Sequence, residues 1–338
     1  MNLEDRISTL NRIANAFYNQ CYKAVIEYGT QAQSEFRYKT FSLTKEVSTL
    51  FMPEDVLLDY VLESYERGYL TFMIMASHYK LNNFDAARVE LRRLNNEMGA
   101  EIYNYGEDPV NILFQAVMWE KLNEMAESRV DWKNFTGQTG LDKTLRDFGS
   151  NRTREIDSGG PLHTDWKIFG VGEFPDVQWD LKFRKSDSGY FAVYTEEDFL
   201  PDCSSPTGLR ISTKSWFKKI SKRHEGAYHP LMNAKAWIRL PIGITYGITT
   251  FTAGAGILVG GCAADAYAKG NGDLCRVSIE GGAALIAESP KVLRYSLKPD
   301  LRHWKNVPSS FVLTTANNTP DEACFADLNS AIEVHQIF

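Results

Sequence analysis

The chain has 338 residues, 43% hydrophobic and 24% charged, with a formal net charge of −6. That length allows one large domain or two, and 19 Phe, 16 Tyr and 7 Trp supply large cores and exclude long disorder. The acidic balance excludes broad nucleic-acid binding, which needs a basic face.

The first residues, MNLEDRISTL, are acidic and lack an apolar stretch, so they predict no signal peptide: either the protein starts in the cytoplasm or the sequence lacks its targeting segment. Ile13, Phe17, Tyr22 and Ile26 have helical spacing and predict a helical unit from Leu3 to about Thr49. From Asp59 to Lys80 the apolar positions Leu62, Tyr65, Tyr69, Phe72, Met73, Ala76 and Tyr79 recur at steps of three and four, which predicts another helix.

Two stretches then say nearly the same thing. KLNNFDAARVELRRL (Lys80–Leu94) and KLNEMAESRVDWKNF (Lys121–Phe135) align at an offset of 41 residues. The offset pairs Asn82 with Asn123, Arg88 with Arg129, Glu90 with Asp131 and Leu91 with Trp132. Each copy reads as the turn and second helix of a hairpin, with Val110–Leu122 as the first helix of the second copy. Pro109 suits a first helical turn, and Asn suits the left-handed position that ends a helix. This is the logic of tetratricopeptide-like repeats, whose common period is about 34 residues. The extra length falls in the polar segment Met98–Asp108.

The expected organisation is α+β: helical hairpins over residues 1–135, a Gly-rich linker over 136–163, and a β-rich mixed domain over 164–338. Strands are expected at Val177–Phe183, Gly189–Thr195, Arg276–Glu280, Val292–Leu297 and Phe311–Thr315. A basic amphipathic helix is expected near Thr213–His224. Leu240–Ala264 carries no charge and is long enough to cross a bilayer. Its Gly content suits a buried core segment or hairpin first and membrane contact second; if it spans, the flanking Lys and Arg place residues 1–239 in the cytoplasm. Five cysteines are scattered without a C-x-x-C pair; Cys262 and Cys275 could close a loop, but free buried thiols are the expected state.

Motifs for chemistry are weak. His224, Glu225 and His229 approximate a zinc-hydrolase helix, but the histidines are five apart, about 140° around a helix, so they cannot share one ion. Gly254-Ala-Gly256 and Gly260 do not complete a phosphate loop, so no cofactor is expected. Helical repeats make concave surfaces for other chains. Arg88, Arg92, Arg93 and Arg129 are therefore expected to bind an acidic protein partner, in a non-catalytic scaffold. A hydrolase using His224, Glu225 and His229, and a membrane-inserting component using 240–264, are the alternatives.

Two patches carry a family resemblance. Tyr65–Leu94 has a Tyr/Glu-rich helix, a turn and an Ala-Arg-Val-Glu-x-Arg-Arg helix, and DLRHWKNVP (Asp300–Pro308) follows a D-x-R-x-W-x-x-L-P pattern with Val307 at the Leu position. The chain thereby resembles a poorly characterised bacterial family of helical-repeat cell-envelope proteins, many of them predicted lipoproteins. The resemblance implies an envelope-associated location and carries no catalytic residues. Asp300, Arg302 and Trp304 are expected to form a structural corner, with the indole inside and the guanidinium on backbone carbonyls.

Overall fold

The computed structural model describes residues 3–36, 60, 62–99, 108–186, 189–195, 197–224, 230–267, 273–297, 301–315 and 334–337. The fold is α+β. Helical hairpins come first, and a small antiparallel sheet follows.

Three hairpins share one turn. They are α1 (Leu3–Tyr18) with α2 (Tyr22–Phe36), α3 (Ser64–Lys80) with α4 (Phe84–Gly99), and α5 (Pro109–Lys121) with α6 (Met125–Thr136). The turn residues Gln20, Asn82 and Asn123 have φ of 60°, 58° and 61°. In each, the next amide reaches back to a carbonyl in the helix's last turn: Cys21 to Ala16, Asn83 to His78, and Glu124 to Trp119. This pattern caps the last carbonyls of a helix and reverses the chain within a few residues. Pro109 starts α5, and Asp108 caps it by accepting from the amides of Val110 and Asn111. The repeat expectation thus holds at the level of turns, and the unit expected from Leu3 forms the first hairpin. Its expected end near Thr49 lies outside the described residues, as does most of Met98–Asp108.

The expected linker is not a loop. Residues 143–157 form α7 (Lys143–Asp157), capped by Asp142, and bury Leu145, Gly149, Arg152 and Ile156. A Cβ on Gly149 would meet Phe135 Cδ1 at 2.9 Å, so the missing side chain lets α7 lie close to α6. The glycines read as linker punctuation include a packing contact.

The sheet runs β4-β5-β6-β1-β7, with β1 (Lys167–Glu173), β4 (Cys203–Ser205), β5 (Gly208–Ser212), β6 (Pro308–Thr314) and β7 (Val334–Gln336). All its pairings are antiparallel. A separate hairpin joins β2 (Val177–Ser186) and β3 (Gly189–Thr195). The strand at 189–195 forms as expected, and those at 177–183 and 311–315 form within a residue or a few of their expected ends. Arg276–Glu280 and Val292–Leu297 do not form strands. They lie in α10 (Asp273–Leu297), a helix paired with α9 (Pro230–Tyr267). Their short alternating patterns fit a helix face as well as a strand when a neighbouring helix covers it. The basic helix is α8 (Lys214–His224).

One hydrophobic core runs from α1 to Ile337 through both the helices and the sheet. Its centre is Tyr69, whose ring lies 5.8 Å from Trp216, 5.8 Å from Trp304 and 5.6 Å from Phe311. These partners come from α8, the D-x-R-x-W segment and β6, so the helices and sheet fold as one packed body. α3 and α5 approach so closely that a Cβ on Gly68 would meet Asn111 Nδ2 at 2.3 Å.

Buried carboxylates fix this packing. Glu120 on α5 is fully buried and accepts from Trp132 Nε1 at 2.6 Å, Arg152 Nη2 at 2.6 Å and the His163 amide at 2.7 Å. Asp108 accepts from Trp216 Nε1 at 2.8 Å. Glu66 accepts from Tyr60 Oη at 2.5 Å, the Glu63 amide at 2.7 Å and the Trp304 amide at 2.7 Å. Burial still pushes the Glu66 carboxyl up to about 7, against the lowering effect of these donors.

Two outcomes follow. Glu120→Ala leaves the buried Arg152 guanidinium with only Glu155 and the Pro161 carbonyl, strips the Trp132 indole and the His163 amide of this acceptor, and should cost about 3 kcal/mol in chemical denaturation. For Glu66, the folded pKa lies above the unfolded value, so the folded state holds the extra proton. Stability should be highest below about pH 4.5 from this group, and should fall as pH rises through about 7. Thermal scans from pH 5 to pH 8 should show a falling midpoint that flattens in Glu66→Gln.

Candidate functional site: a groove between two helical hairpins

The faces of α4, α5 and α6 meet in a groove enclosing a cavity of about 350 Å³. α4 contributes Arg92 and Asn95; α5 contributes Gln115 and Trp119; α6 contributes Ala126, Glu127, Val130 and Asp131. The repeat geometry puts them there. α5 follows α4 and packs its partner α6 alongside, so the second helices of successive hairpins form one wall.

The far wall is built by a crossed pair of contacts. Trp119 on α5 donates to the Asp131 carboxylate on α6, and Trp132 on α6 donates to Glu120 on α5. Adjacent residues on a helix lie about 100° apart, so the fully buried Glu120–Trp132 pair sits in the core while Trp119–Asp131 lines the groove. Burial raises the Asp131 carboxyl to about 6, with the Trp119 and Asn134 bonds opposing the shift and nearby Glu127 adding to it.

The four arginines expected to bind a partner separate into two classes. Three are committed to intramolecular ion pairs. Arg88 Nε reaches Glu124 at 2.8 Å, Arg93 Nη1 reaches Glu90 at 2.7 Å and Gln33 at 2.8 Å, and Arg129 pairs with Asp157. Arg88 and Arg129 hold equivalent places in the repeat and each ties its hairpin to the next element, so the repeated Arg is first a stacking device. Arg92 is exposed, lines the groove and makes no ion pair or side-chain hydrogen bond among the described residues. The sequence could not separate these roles, because pairing depends on the stacking of hairpins far apart in the chain.

Gln115 was not singled out in the sequence. It is 1% exposed, lines the groove, and its Nε2 has no hydrogen-bond partner among the described residues. A buried amide donor left unpaired is destabilising and marks a place where a ligand group can bind. Val130, 53% exposed, adds an apolar contact at the rim.

The remaining expected site residues lie elsewhere. Trp304 is fully buried, and its indole donates to Asn11 Oδ1 at 3.1 Å. Arg302 lies over the Tyr60 ring at 5.8 Å. Trp304 and Arg302 thus pack inside the helix–sheet junction, and Asp300 lies outside the described residues. His224 ends α8, while Glu225 and His229 also lie outside them. Among the described residues no group of three His, Cys, Asp or Glu side chains is arranged to hold a metal.

Because Nε2 of Gln115 has no partner among the described residues, Gln115→Leu should raise the unfolding free energy by about 1 kcal/mol. Urea denaturation checks it; a loss of stability instead would mean that the amide is satisfied in solution. No family model, no curated protein and no solved structure matches the chain.

Proposed function

We propose that the chain is a non-catalytic adaptor that docks a protein partner in the groove between α4, α5 and α6, within a bacterial envelope-associated assembly. The observation that carries this reading is the buried Gln115 Nε2 beside Arg92 in an open groove, neither of them paired among the described residues. Two donors on one side, with Trp119 and Val130 beneath and beside them, suit an acidic side chain or a chain terminus carried on an apolar helix or peptide. The Glu127 and Asp131 wall opposes a second acidic group, so the acid belongs on the Arg92 side. The envelope location draws support from the disulfide between Cys262 and Cys275 and from the disulfide at Cys203, since such bonds persist in oxidising compartments. These bonds replace the free thiols expected from the sequence.

The test is capture from native cells with a photocrosslinker at Val130. The wild type should give a discrete crosslinked partner, and Arg92→Glu should lower its yield at least tenfold. Arg88→Glu, whose partner Glu124 lies within the chain, should leave the yield within a factor of about two. An unchanged yield in Arg92→Glu overturns the reading.

A further inference from the structure

Leu240–Ala264, expected first as a buried core segment or a hairpin, is half of a hairpin, and from Ile244 onward it is mostly exposed and not core. It lies in α9, and α9 pairs with α10 as a helical hairpin. Ile244–Tyr267 is long and apolar enough to cross a membrane, yet only 6% of its apolar window is buried. Ile248 is 60% exposed and Val259 65%, and Tyr246, Phe251 and Ile257 are also exposed. Exposed apolar area on this scale marks a surface that some other phase or molecule covers.

The rest of the hairpin says what covers it. Its two helices meet at backbone distance: a Cβ on Gly254 would meet the Gly282 carbonyl at 2.8 Å, and one on Gly261 would overlap Ser278. The Cys262–Cys275 bond closes the tip. Gly254 and Gly261 are thus spent on the partner helix, while Gly256 and Gly260 meet nothing within 4 Å, and the other sides of α9 remain apolar. Threonine hydroxyls of this helix are satisfied within it. Thr249, Thr250 and Thr252 donate to the carbonyls of Thr245, Tyr246 and Ile248 at 2.7–2.8 Å. A surface whose polar atoms are satisfied internally enters hydrocarbon without unpaired donors.

α10 is different. Arg276, Glu280 and Glu288 are exposed on the side turned away from Ser278 and Gly282, the residues that touch α9. The exposed charges of the hairpin from Ile244 onward thus lie on α10, beside exposed Leu274, Val277 and Ile279, whereas the exposed side of α9 there is uncharged; this one-sided charge is the pattern of an element lying in a membrane interface. Disulfides sharpen the choice. Crossing the bilayer would put the tip bond and the Cys203 bond of the body on opposite faces, whereas lying in the interface keeps both on one oxidising face.

We propose that the α9–α10 hairpin is a monotopic membrane anchor, with α9 seated in the outer part of the hydrocarbon and α10 turned to water on the same side as the body.

The full chain, purified in detergent, would be transferred to vesicles of phosphatidylethanolamine and phosphatidylglycerol and floated at high salt. The wild type should rise with the lipid. Ile248→Lys with Val259→Lys should leave at least tenfold less protein in the lipid fractions, while thermal unfolding of the body is unchanged. A wild type that stays down, or a double variant that floats equally well, overturns the proposal. So does a discrete lipid-free oligomer that becomes monomeric in the double variant while neither floats, which assigns the face to a second copy. Orientation is read from added tryptophans. Phe251→Trp should add fluorescence that brominated acyl chains quench, and Ala284→Trp should add fluorescence that they do not. Equal quenching of both overturns the in-plane arrangement.

Discussion

Carboxylates taken out of water must find donors, and in this protein many of those donors are indoles, a guanidinium and backbone amides from distant segments. Glu120 holds Trp132 and Arg152, Asp108 holds Trp216, Asp131 holds Trp119, and Glu66 holds the amide of Trp304. Left unpaired, such a carboxylate would be strongly destabilising, so each one selects a single docking geometry for the element that brings its partner. The aromatic rings around Tyr69 supply most of the buried area, and apolar packing alone tolerates small slips. The carboxylates remove that freedom. Asp108 serves twice, as the cap of α5 and as the acceptor for Trp216, so the start of one helix and the seat of another are fixed by the same group.

This division of labour explains the groove. The Glu120–Trp132 bond and its mirror, Trp119–Asp131, set the angle between α5 and α6. That angle opens the space which Arg92 and Gln115 face. The repeat does not merely stack hairpins. It aligns their second helices and leaves Arg92 without an ion-pair partner among the described residues.

Much of the helical half is legible in the sequence because its causes are local. Asn82 and Asn123 sit where a left-handed residue is needed, Pro109 and Asp108 start α5, and the apolar spacing around Tyr69 marks the buried face of α3. The strand at Gly189–Thr195 is legible for the same reason, as alternation over a short span with β-forming residues. What fails is non-local. RVSIE at 276–280 alternates like a strand, but its Ser278 is chosen to fit under Gly261 of another helix. Gly149 reads as a break and is a contact. Arg88 and Arg129 read as a binding surface and are braces, a distinction that exists only once the hairpins are stacked. Gln115 carries no signal in the sequence, since a glutamine on an apolar helix shows its unpaired amide only when its neighbours are in place.

The bond from Glu66 to the Trp304 amide joins residues 238 apart, and that from Trp304 to Asn11 joins residues 293 apart. During synthesis at about 5–20 residues per second, α3 leaves the ribosome roughly 12–48 s before its partner does. Throughout that interval Tyr69, Phe72 and Phe114 lack the sheet that covers them, and the apolar hairpin is made before the strand that closes the core. Biogenesis therefore has an order imposed on it. A holding factor, or early seating of the hairpin, must shelter the aromatic face, and truncations just before Leu301 should be cleared from the cell even though most of the helices are present.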